Sequence, residues 1–72
     1  MLIEKKPEYV LIEQWINTLV VSFTQNPSVA IARAITHYLT KLLTLYSEEL
    51  SEQDTINFCR MYRYWSWKVS VE

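Results

Sequence analysis

The sequence predicts an all-α fold: a single domain of three helices, near residues 7–25, 27–47 and 52–65, with a C-terminal tail over residues 65–72. Three observations predict it. Apolar residues recur at i, i+3, i+4 and i+7 in three successive stretches, the signature of one buried helix face. A helix-start signal stands before each stretch: Pro7, Asn26-Pro27 and Ser51. The chain also contains no glycine. That removes the residue on which tight hairpins, glycine-rich phosphate loops and glycine helix caps depend, and it argues against an all-β fold.

Residues 1–6 read as a loose or briefly extended lead, and Pro7 suits the first turn of a helix. The first helix runs to about Gln25. Its expected core face is Tyr9, Ile12, Trp15, Ile16, Leu19, Val20 and Phe23, within roughly 140° of arc. Glu13, Asn17 and Thr24 lie at the back. Val10, Leu11 and Val21 fall outside the core face, a surplus of apolar surface for a monomer.

Asn26-Pro27 is the clearest punctuation in the chain. Asn26 is expected to cap the second helix, with Pro27 in the first helical position. The expected buried arc of that helix is Ile31, Ala32, Ile35, Tyr38, Leu39, Leu42, Leu43, Leu45 and Tyr46. Arg33, His37 and Lys41 stack at i, i+4 and i+8 on its outside, flanked by Thr36, Thr40 and Thr44. Residues 47–50 make the second turn.

Ser51, followed by Glu52, Gln53 and Asp54, reads as an N-cap with an acid three places on. Phe58, Met61, Tyr62, Trp65 and Val69 form the apolar ladder that follows. The other side carries Arg60, Arg63, Tyr64, Trp67 and Lys68, with Arg60–Tyr64, Arg63–Trp67 and Tyr64–Lys68 spaced for cation–π contact. Beyond Trp65 two readings stay open. Trp-Ser-Trp-Lys-Val-Ser-Val-Glu also alternates strictly, as a strand does. In both readings Trp67 is hard to bury within a monomer.

A chain of 72 residues is one domain. It buries only about 60% of its unfolded surface, so small domains of this kind rely on a staple. One cysteine cannot form an internal disulfide, and one His and one Cys with scattered carboxylates make no metal motif. Oligomerisation is what remains. The outcome is a three-helix bundle, or a helical hairpin whose third helix is completed by a partner chain.

Charge is near balance at −1 but segregated. Residues 14–47 hold Arg33 and Lys41 and no acid; residues 55–71 hold Arg60, Arg63 and Lys68 and no acid. The acids gather at Glu4, Glu8 and Glu13 and again at Glu48, Glu49, Glu52 and Asp54, the last group beside the start of the third helix, where its dipole favours them.

Catalytic readings find little to work with. His37 has Arg33, Thr36, Thr40 and Lys41 as helical neighbours and no carboxylate to orient it, so it reads as a solvated or interface histidine. Cys59 lies near Arg60 and Arg63, which would lower a thiol's pKa, but a mid-helix cysteine with no histidine near in sequence reads as structural. Lys5-Lys6 before an apolar stretch, with Ala30-Ile31-Ala32 beyond it, gives only a broken outline of a secretory signal, because Glu13, Gln14 and Asn17 interrupt the apolar run. A membrane span fails on the same residues. The lone cysteine suggests a reducing, cytoplasmic setting.

The function expected is therefore a non-enzymatic protein–protein interaction module: an adaptor, regulator or assembly subunit. It needs no cofactor, self-associates, and uses Arg60, Arg63, Tyr64, Trp67 and Lys68, the residue types enriched at interface hot spots. Arg33, His37 and Lys41 form a possible secondary basic surface. The alternative is a small nucleic-acid-binding regulator working through the two basic stripes. It is disfavoured by the neutral net charge and by stripes of only three charges each.

Overall fold

The computed structural model describes residues 8–71. Three helices follow one another: α1 over Glu8–Gln25, α2 over Val29–Leu45 and α3 over Glu52–Val71. Together they form a small three-helix bundle, with no strand among the described residues. The expected lead over residues 1–6 and the helix start at Pro7 lie outside the described residues.

The first turn falls where Asn26-Pro27 predicts a break, but the cap is different. The Asn26 N–H donates to the Ser22 carbonyl at 2.9 Å and so completes the last turn of α1. Capping α2 passes to Ser28, which is extended at φ −153°, ψ 136°. Its Oγ accepts from the Ala30 N–H at 3.2 Å, and its carbonyl accepts from the Ala32 N–H at 3.1 Å. Serine caps as well as asparagine does, and Ser28 is the residue that stands in extended geometry directly before the first turn of α2.

α2 stops at Leu45, two residues before the expected end. Tyr46 leaves helical geometry at φ −120°, ψ 21°, and the Glu49 N–H closes a turn onto its carbonyl at 3.0 Å. No described residue adopts positive φ, so this helix ends without the left-handed cap that glycine usually supplies. Ser51 caps α3 as expected: its Oγ accepts from the Asp54 N–H at 3.0 Å and its carbonyl from the Thr55 N–H at 2.9 Å. Glu52 and Asp54 occupy the first turn and Lys68 the last, each on the favourable end of the helix dipole.

α3 runs on to Val71, which decides the reading of the tail. Trp65 and Val69 continue the Phe58–Met61 ladder, Trp65 buried and Val69 packed against the core. Extending an existing helix adds one hydrogen bond per residue fixed. A short strand here has no sheet to join, so its alternating pattern goes unused.

The core is organised around α2. Ala32, Ile35, Leu39 and Leu42 are all fully buried. They are joined by Ile12, Ile16 and Phe23 from α1, Leu50 from the second turn, and Phe58 and Trp65 from α3. α1 and α3 each pack against α2, and among the described residues no Cα of α1 comes within 8 Å of a Cα of α3. The outer two helices meet through side chains instead: the Phe23 ring stands edge-on to Trp65, centroids 5.0 Å apart at 85°. A single stripe on α2 therefore supplies the interior for both neighbours.

Three residues expected on the apolar arcs lie outside the core. Trp15 is 51% exposed and Leu45 is 66% exposed. Adjacent helical residues point about 100° apart, so Ile16 takes the interior position and leaves Trp15 at the rim. There the indole packs edge-on against Tyr38, centroids 5.8 Å apart. Leu45 sits in the last turn of α2, at the border of the arc. Tyr62, expected on the α3 ladder, is also at the rim, 38% exposed.

The far end of the α1–α2 hairpin is held by a polar clasp. The Tyr46 hydroxyl donates to a Glu8 carboxylate oxygen at 2.6 Å, and Tyr9 packs beside the Tyr46 ring. The hydrogen bond to Glu8, then desolvation, then the negative charges of Glu8 and Glu49 raise the Tyr46 pKa above its ordinary value. A raised folded-state pKa contributes stability that is present below the unfolded value and is lost as pH rises through the folded one. The melting temperature of the native chain is thus expected to fall more steeply above about pH 10 than that of Tyr46→Phe. Parallel alkaline profiles for the two proteins would remove the clasp from the list of stabilising contacts.

Candidate functional interface

α3 is built with two usable faces. Its inner face is spent on the core, through Phe58, Met61, Trp65 and Val69. Its outer face carries Ile56, Cys59, Arg60, Arg63, Trp67 and Val71, all exposed. Ile56 is 42% exposed, Trp67 56% and Val71 55%. Helix geometry dictates this division: Trp65 and Trp67 are two residues apart and therefore point about 160° away from one another. One indole closes the core while the other stands in solvent.

The five residues expected to form one patch resolve into two neighbouring groups. Toward the C-terminal end, Tyr64, Trp67 and Lys68 come together. The Tyr64 and Trp67 rings lie 6.2 Å apart, and Tyr64 stands edge-on to the buried Trp65 at 5.1 Å. The Lys68 ammonium sits over three rings, 5.6 Å from the Phe23 centroid, 5.9 Å from Tyr64 and 5.8 Å from Trp67. The expected Tyr64–Lys68 contact forms. No cation–π contact joins Arg60 to Tyr64 or Arg63 to Trp67; the cation over these rings is Lys68. One to two turns earlier, Arg60 and Arg63 flank an open hollow of about 450 Å³ together with Thr55, Ile56 and Cys59. Cys59 is a free, exposed thiol rather than a core filler.

The secondary basic stripe is only partly assembled. Arg33 and His37 are exposed, and His37 packs against Tyr38 at 5.3 Å. Lys41 is half-buried and lines a hollow of about 170 Å³ with Glu8, Leu11, Ile12, Trp15 and Tyr46. Its stem covers apolar surface between α1 and α2, a common arrangement for lysine. The three side chains therefore do not present one continuous face.

Sequence reasoning missed a third feature. Trp15, Thr18, Leu19 and Tyr38 line an open apolar hollow of about 280 Å³ at the α1–α2 seam. Both aromatics lie at the edges of their apolar arcs. That edge position was the available signal, since a residue at the border of an arc is as often rim as core.

Among the described residues no group of three or more His, Cys, Asp or Glu side chains could hold a metal ion. No described helix is long and apolar enough to cross a membrane. No family model, curated protein or solved structure matches the chain.

Proposed function

We propose that this chain is a non-enzymatic interaction module that self-associates through the outer face of α3, serving as an adaptor or assembly subunit. One observation carries the reading. α3 already fills the core with one side, yet Ile56, Tyr64, Trp67 and Val71 stay 42–56% exposed on the others. Apolar and aromatic surface of this kind on a small domain with no disulfide is stabilised by a partner. Arg60 and Arg63 beside Trp67 and Tyr64 supply the residue types on which interface energy concentrates.

Support for the phosphate-binding alternative is thinner. Lys68 is engaged by three rings, which leaves Arg60 and Arg63 on that helix, fewer charges than the several phosphates a nucleic-acid binder neutralises. Solution mass by light scattering across a concentration series tests the proposal. The expected result is a mass that rises to a dimer or higher species in the micromolar range. A monomer mass throughout that range would overturn it.

A further inference from the structure

We infer that the second copy of this chain docks antiparallel on α3, with Glu52 of each copy against Arg63 of the other; this inference rests on the self-association proposed above. The first support is the charge order along one helix. Glu48 and Glu49 precede it and Glu52 opens it, while Arg60 and Arg63 follow on the same side as Glu52, with no acid between residues 55 and 71. A parallel copy would lay acid on acid and base on base. An antiparallel copy lays each acidic end along the other's basic stretch, and like charges across an interface are a strong selector against the wrong arrangement.

The second support is the spacing of the outer face. Glu52, Ile56, Cys59 and Arg63 follow one another at intervals of four, three and four residues, and all four are exposed. That interval is the a/d repeat by which two helices pack side by side. Assigning Ile56 and Arg63 to one position type and Glu52 and Cys59 to the other fixes the register. Antiparallel layers then pair Ile56 with Cys59 of the second copy, twice about the two-fold axis, as small apolar central layers. The layers on either side pair Glu52 with Arg63 of the second copy. Arg60 and Trp67 flank this seam on one side, with Trp67 beside the turn that precedes α3 in the second copy. The contact is isologous and closes on itself, so it yields a dimer and not a filament.

The pairing has a test that a fold defect cannot imitate. Glu52 and Arg63 are eleven residues apart on the same straight helix, roughly 16 Å along the axis, and cannot touch within one chain. Compensation between them must be intermolecular. Dimer dissociation constants are measured by analytical ultracentrifugation for the native chain, Glu52→Arg, Arg63→Glu and the double variant, with far-UV spectra to verify helix content. Each single reversal places two like-charge contacts in the interface and is expected to weaken the dimer about tenfold or more. The double variant is expected to return to within about threefold of the native value. A double variant no tighter than the weaker single variant overturns the register, as do single reversals that leave the dimer within about twofold of native; in both cases the self-association of the native chain stands. A native chain that remains monomeric overturns the proposed function and this inference together.

Discussion

Leu39→Ala is expected to lower the free energy of unfolding by about 2–5 kcal/mol. The side chain is fully buried at the middle of α2, between Ile35 and Leu42, which are fully buried as well. Among the described helices α2 alone has backbone within 8 Å of both others, so the cavity opens where both halves of the core meet. Removing a leucine side chain forfeits its transfer free energy and leaves a void that surrounding helices fill only in part. For a domain this small the loss is a large share of the total, since whole-domain stabilities are typically about 5–15 kcal/mol. Urea unfolding measures it directly, and the expected signature is a lower midpoint at unchanged slope. Leu45→Ala is the internal control. Leu45 belongs to the same apolar arc in the sequence but is 66% exposed, so its truncation is expected to stay within about 0.5 kcal/mol. If the two variants lose similar stability, α2 is not the axis of the fold.

Leu39 and Leu45 also mark what the sequence makes legible. Periodicity identifies the residues on one side of a helix, and the centre of each predicted arc is indeed the core: Ile12 and Ile16, Ile35 and Leu39, Phe58 and Trp65. It does not say how wide an arc the neighbouring helices cover. Trp15 and Leu45 lie at arc borders, and both are exposed. Helix starts follow the same pattern. Ser51 was identifiable because it directly precedes the acidic first turn of α3, whereas Asn26 and Ser28 both precede α2 and are both capable of capping it, and spacing alone does not choose between them. The tail satisfied two periods at once, and packing of Val69 on the core settled it in favour of helix. The proposed interface was legible as a list of residues but not as a geometry. Nothing in the spacing reveals that Lys68, and not Arg60 or Arg63, occupies the aromatic faces, since that depends on Phe23 arriving from α1.

Trp67→Ala is expected to weaken self-association by about 2 kcal/mol or more, roughly thirtyfold in the dissociation constant, while leaving the isolated fold nearly intact. The native indole is 56% exposed, and its recorded aromatic and cation–π contacts are with Tyr64 and Lys68 of its own helix. Losing it opens no cavity, because the core position two residues earlier is held by Trp65 against Phe23. The cost to the fold is therefore one tilted ring pair and one of three ring contacts to Lys68, in the range of an ordinary surface substitution. The cost to an interface is of another kind. A half-exposed tryptophan that becomes covered on association loses a large apolar area from water and is held by few rotatable bonds, which is why tryptophan so often anchors contacts between chains. Thermal melting at low concentration separates the two costs from each other, and mass against concentration measures the second. Trp67→Ala is expected to melt near the native temperature and to dissociate at higher concentration, whereas Leu39→Ala is expected to melt early. Should Trp67→Ala unfold as readily as Leu39→Ala while its association constant stays native, Trp67 would belong to the core and the outer face of α3 would lose its anchor.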